Sequence, residues 1–103
     1  MRTLGFDKYD ENEYAAVPET TIEAIRRYIE HGILPGDFLQ AVIQNDLTEA
    51  VGRADRHNLP ALKLICQMFY NCTPADSHGN KEKMLAWARV GGTEGLRGRP
   101  EPK

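Results

Sequence analysis

Apolar residues recur along this chain at three- and four-residue intervals, and each stripe begins and ends at residues that punctuate helices. Ile22, Ile25 and Ile29, with Tyr28 beside them, form the first. Thr20 and Glu23 stand before it at capping-box spacing. Gly32 follows His31 as a left-handed stop. The spacing therefore predicts a helix over Thr21–His31. A second stripe, Phe38, Leu39, Val42 and Ile43, opens at Pro35, with Asp37 in its first turn to complement the positive helix end. Asn45-Asp46 interrupts it. Asp46 and Glu49 repeat the capping spacing, so a short third helix runs from Leu47 to about Asp55, with Leu47, Ala50, Val51 and Ala54 as its expected inner face.

Asn58 is read as the cap of a fourth helix and Pro60 as part of its first turn. Leu62, Ile65, Cys66 and Phe69 give its stripe, widened by Leu64 and Met68, and Thr73-Pro74 ends it. Residues 73–80 read as a loop. Asn80 caps a last helix over Lys81–Val90, with Met84, Leu85, Trp87 and Ala88 expected to face inward and Gly91-Gly92 as its stop. No alternating run of β-branched residues marks a strand, and no repeat appears. The expected fold is all-α: a single compact domain of about five short helices. A partly ordered acidic arm covers residues 1–19, with Phe6, Tyr9 and Tyr14 as its sticking points. The helical domain covers 20–90, and a flexible Gly/Pro/Arg tail covers 91–103.

Composition agrees with one small domain: 103 residues, 41% hydrophobic and 27% charged. No apolar run approaches the roughly 18–20 residues of a membrane span. The opening MRTLGFDKYDENEY has no apolar signal region, so a cytoplasmic protein is expected. Charge changes the picture more. The total is −2, but residues 1–23 carry −4 and residues 89–103 carry +2. An acidic chain lacks the basic face that phosphate neutralisation needs, so direct nucleic-acid binding is not expected. A helix-turn-helix over the second and third helices fails for the same reason, since Asp46 and Glu49 at the recognition end would face phosphates.

Candidate chemistry is sparse. His31, His57 and His78 sit at three separate junctions and Cys66 and Cys72 do not form C-x-x-C, so no metal site is expected. On one helix the cysteines would lie about 9 Å apart, too far for a disulfide. Cys66 belongs to the apolar stripe and Cys72 to a negative helix end, where a thiolate is disfavoured. Ser77, beside His78, is the one serine in the sequence, and no nucleophile elbow surrounds it. No phosphate-binding glycine loop is present. Neither catalysis nor a cofactor is expected. Polar residues of fixed geometry gather instead around the third helix: Asn45, Asp46, Glu49, Arg53, Asp55 and Asn58. They read as a recognition patch, or as two caps and a Glu49–Arg53 surface pair.

The stretch YIEHGILPGDFLQAVIQNDLTEAVGRADRHN, continued by LICQMFYNCTP and KMLAWAR, resembles a family of short helical proteins encoded by tailed bacteriophages and prophages. The pattern is His31-Gly32, Pro35-Gly36, Phe38-Leu39, Ala41-Val42, Asn45-Asp46-Leu47, Glu49-Ala50, Arg53-Ala54-Asp55, Asn58, Tyr70-Asn71 and Trp87, within about residues 24–89. His78 stands before Gly79 where relatives carry an aromatic residue. No functional residue transfers with the resemblance. It implies a non-catalytic phage accessory protein in the host cytoplasm that binds a host or phage protein, as inhibitors of anti-phage defence do. The alternatives are an oligomeric sponge for a nucleotide immune signal, lined by Arg53, Arg56 or Arg26-Arg27, and a minor virion or assembly factor.

Overall fold

The computed structural model describes residue 12 and residues 14–98. It is all-α: α1 (Glu19–His31), α2 (Asp37–Ile43), α3 (Leu47–Arg53), α4 (Leu62–Cys72), a 3-10 turn over Ala75–Ser77, α5 (Lys81–Val90) and α6 (Gly92–Gly98). The core draws on every helical stripe long enough to keep a face. Ile25, Tyr28 and Ile29 of α1 meet Leu39 and Ile43 of α2, Ile65, Met68 and Phe69 of α4, and Met84 and Trp87 of α5. The chain before α1 joins them through Tyr14 and Val17. Cys72 Sγ at the end of α4 reaches the Tyr14 hydroxyl at 3.8 Å. Phe6 and Tyr9 lie outside the described residues.

Helix ends carry several of the tertiary polar contacts. The last carbonyls of α1 have no helical partner. Gly32, left-handed at φ +71°, closes one turn back onto them. The Trp87 indole N–H supplies a second donor, to the carbonyls of Tyr28 and Ile29 at 3.1 and 3.2 Å. A buried tryptophan needs a partner for that N–H, and a buried helix end needs a donor, so one contact satisfies both. The Tyr28 side chain crosses the core in the other direction and donates to the Ser77 carbonyl at 2.6 Å.

Several boundaries and faces differ from the sequence expectation. α1 begins two residues early: the Pro18 carbonyl accepts from the amides of Thr21 and Ile22, and no side chain caps the helix. Thr20 is thus inside the first turn, and the expected box with Glu23 does not form. α2 begins at Asp37 after Gly36, and α4 at Leu62 after Ala61, so neither Pro35 nor Asn58 opens a helix. Ala50 alone is buried on α3; Leu47 and Val51 are exposed, as is Leu85 on α5. Cys66 is half-buried rather than a core thiol. The stretch expected to run free from residue 91 is helical over Gly92–Gly98 and packs on α1, with Thr93 buried. Residues 99–103 lie outside the described residues.

That last packing depends on absent side chains. A Cβ on Gly32 would lie 2.9 Å from the Ala88 carbonyl oxygen. One on Gly92 would lie 2.5 Å from the Ile29 oxygen. The C-terminal end of α1 and the α5–α6 junction therefore approach backbone to backbone, at a distance that only glycine permits.

Candidate binding surface

Asn45-Asp46 builds the joint on which the surface rests. Asn45 adopts a left-handed conformation at φ +65°, tolerable for asparagine. Its amide donates to the Val42 carbonyl at 3.0 Å and the Asp46 amide to the Ala41 carbonyl at 2.8 Å. This is a Schellman ending with asparagine in glycine's place. Asp46 then starts the next helix at once, its carboxylate accepting from the Glu49 amide at 3.3 Å. Two residues thus end α2, turn the chain and cap α3, and the two helices fold closely together.

The turn brings Asp37, in the first turn of α2, to the last residue of α3. Arg53 Nε donates to Glu49 at 2.8 Å and its Nη1 to Asp37 at 3.1 Å. Asp37, Gln40, Gln44, Asp46, Glu49 and Arg53 line one shallow depression of about 170 Å³. The Glu49 hydrogen bond, with the charge of Asp37 behind it, holds the Arg53 guanidinium still more firmly protonated than usual. Of the six expected patch residues, Asp46, Glu49 and Arg53 are brought together here. Asp37 joins them across 16 positions of sequence, a separation that local spacing could not reveal.

The other three are placed elsewhere. Asp55 accepts from the backbone amides of His57 and Asn58 at 2.9 and 2.8 Å, ordering the turn after α3. The Asn58 amide is the main reason its carboxylate sits below the ordinary range. Asn58 Oδ1 accepts from the buried Thr21 hydroxyl at 2.6 Å and ties that turn to α1. Asn45 borders a different cleft, between α2 and α4. On the side of α3 away from Glu49 and Arg53, Leu47 and Val51 are 65% and 45% exposed, one helical turn apart.

The nucleophile candidates are enclosed or engaged. Ser77 is completely buried, and its hydroxyl donates to the Pro74 carbonyl at 2.7 Å. Thr73 likewise donates to the Phe69 carbonyl at 2.7 Å. With both hydroxyl hydrogens spent on carbonyls, His78 Nδ1, 3.0 Å from Ser77 Oγ and 3.3 Å from Thr73 Oγ1, is the donor to them. In the neutral ring this leaves the free lone pair on Nε2, and the imidazole is not placed to deprotonate Ser77. Burial, and then the Lys83 ammonium, hold the His78 pKa below its usual value of 6.5. Burial pushes the Cys66 thiol up, away from the thiolate.

Arg26 lines an open groove that also contains Glu19, Glu23 and His57. Among the described residues no three His, Cys, Asp or Glu side chains form a metal-binding group, and no helix is long and apolar enough to cross a membrane. No family model matches this chain, and no curated protein or solved structure is similar to it.

Proposed function

We propose that this chain is a non-catalytic binding protein that occupies the surface of another protein through α2 and α3. In keeping with the sequence resemblance, the partner is a host or phage protein, and occupation inhibits a bacterial defence component. The exposure of Leu47 and Val51, across α3 from the Asp37–Arg53–Glu49 network, carries this reading: the two sets flank the outer ridge of one short helix. Interface centres combine apolar side chains with arginine inside a polar rim. Three carboxylates to one guanidinium make the far edge of this surface acidic, so the partner presents an apolar patch with basic groups to one side of it. The burial of Ser77 and the engaged hydroxyls around His78 support a role without chemistry.

The test is capture of bacterial host proteins on the tagged chain, repeated with Leu47→Asp, Val51→Lys and Arg53→Ala. All three positions are exposed, and each variant's melting curve checks that the fold survives. A stoichiometric partner lost with all three variants supports the reading. A partner that all three retain, or no stoichiometric partner from a host the phage infects, overturns it.

A further inference from the structure

A second concavity lies on the other side of the Asn45 joint, between α2, the middle of α4 and the turn leading into α5. It encloses about 290 Å³ and is bounded by Val42, Asn45, Phe69, Tyr70, His78 and Lys83, with Cys66, Ala75 and Gly79 completing it. Its chemistry is unlike the rest of the molecule. The protein carries a net charge of −2, yet the one charged side chain on this wall is Lys83. No carboxylate among the described residues pairs with that ammonium. Gly79, at φ +128°, turns the chain beside the lysine stem.

Three rings meet at one edge of the cleft. His78 packs edge-on against Phe69 with centroids 5.7 Å apart and against Tyr70 at 6.0 Å. Tyr70 is 82% exposed, so it contributes an aromatic face that the fold itself does not cover. In the neutral ring the Ser77 and Thr73 hydroxyls take the Nδ1 hydrogen, and Nε2 is left as a hydrogen-bond acceptor without a partner among the described residues. A cation, an uncovered aromatic face and one oriented acceptor around a small hollow match one kind of ligand.

We propose that this cleft binds a small planar aromatic anion of one or two rings. The ring lies against Tyr70 and His78, the anionic group takes the Lys83 ammonium, and a ligand O–H or N–H donates to His78 Nε2. The volume is at the lower end of the roughly 300–1,000 Å³ found for small-molecule sites, so a whole nucleotide does not fit within it. This site is separate from the α2–α3 surface and does not depend on the function proposed for it.

Amide and aromatic NMR shifts of the full chain, titrated with 4-hydroxybenzoate, test the site. Benzamidine serves as the cationic counterpart and acetate as the anion without a ring. The expected result is a Kd on the order of 1 mM for 4-hydroxybenzoate. Shifts are confined to Asn45, Phe69, Tyr70, His78, Gly79 and Lys83, with weaker effects from the other two compounds. Lys83→Gln weakens binding by about tenfold or more, as loss of a charge-assisted contact requires. Tyr70→Ala weakens it as well. Both positions are exposed, and an otherwise unchanged spectrum confirms the fold. Unmoved cleft resonances at about twenty times the expected Kd overturn the proposal. So does equal binding of benzamidine or acetate, or an affinity that Lys83→Gln leaves intact.

Discussion

Tyr28→Phe removes one oxygen from the centre of the molecule and leaves the ring in place. The side chain is fully buried, and its hydroxyl donates to the Ser77 carbonyl at 2.6 Å, with the Met84 carbonyl at 3.5 Å. Burial raises the phenol pKa, which keeps this group a donor across the accessible pH range. Almost no hydrophobic contact is lost, so the cost comes from the hydrogen bond. A typical net bond contributes about 0.5–1.5 kcal/mol, and a buried carbonyl stripped of its donor costs about 1–3 kcal/mol. These overlap, and about 2 kcal/mol is the expected total, roughly a 30-fold change in the folding equilibrium. For a domain of this size that lowers Tm by roughly 8–16 °C. Urea unfolding followed by the fluorescence of Trp87, the one tryptophan, measures it; the indole is bonded to the Tyr28 carbonyl and reports on the same region. Tyr70→Phe, at an exposed ring, should change stability by less than about 0.5 kcal/mol. Equal midpoints for the two variants, with equal denaturant slopes, would refute the assignment of the Tyr28–Ser77 bond as a core contact.

Two glycine substitutions should act with opposite signs. Gly92 has φ +69° and a virtual Cβ 2.5 Å from the Ile29 oxygen, so Gly92→Ala should destabilise by at least about 1–3 kcal/mol in the same urea assay. A neutral outcome would mean that α6 does not pack on α1. Gly52 lies inside α3 with nothing within 4 Å of its virtual Cβ, so Gly52→Ala should stabilise by about 0.5–1 kcal/mol. His78 supplies a pH dependence. Its folded pKa lies below the unfolded value of 6.5, first through burial and then through Lys83, so the unfolded chain takes up the proton more readily. Stability from this group is complete above the unfolded pKa and declines as pH falls toward the folded one. Urea midpoints compared at about pH 7.5 and 5.5 should therefore drop further for the native chain than for His78→Gln. Parallel drops would exclude the effect.

What could be read from the sequence depended on how many turns each element has. α1, α4 and α5 span 13, 11 and 10 residues, long enough for a stripe to define one inner face, and their main core residues lie where the periodicity puts them. α3 has seven residues, and a two-turn helix carrying Leu47, Ala50 and Val51 can bury either side of that group. The side chosen is the one that lets Ala50 sit against its neighbours, which leaves the two larger residues outside. Local capping preference was outweighed at α1 because Tyr14 and Val17 anchor the preceding chain in the core and Pro18 already supplies the accepting carbonyl. Intrinsic propensity was outweighed at α6 in a more instructive way. Glycine weakens a helix by roughly 1 kcal/mol relative to alanine, so the stretch after residue 90 reads as tail. The same missing Cβ atoms allow the backbone approach to α1 that holds it in place. The candidate surface divides along similar lines. Glu49 and Arg53 pair within one helix and were legible at a spacing of four. Asp37 was not, because its distance from Arg53 is set by the left-handed turn at Asn45 and by nothing nearer to either residue. A two-residue joint therefore decides which charges meet on one side of the molecule, and it also places Asn45 at the rim of the aromatic cleft on the other.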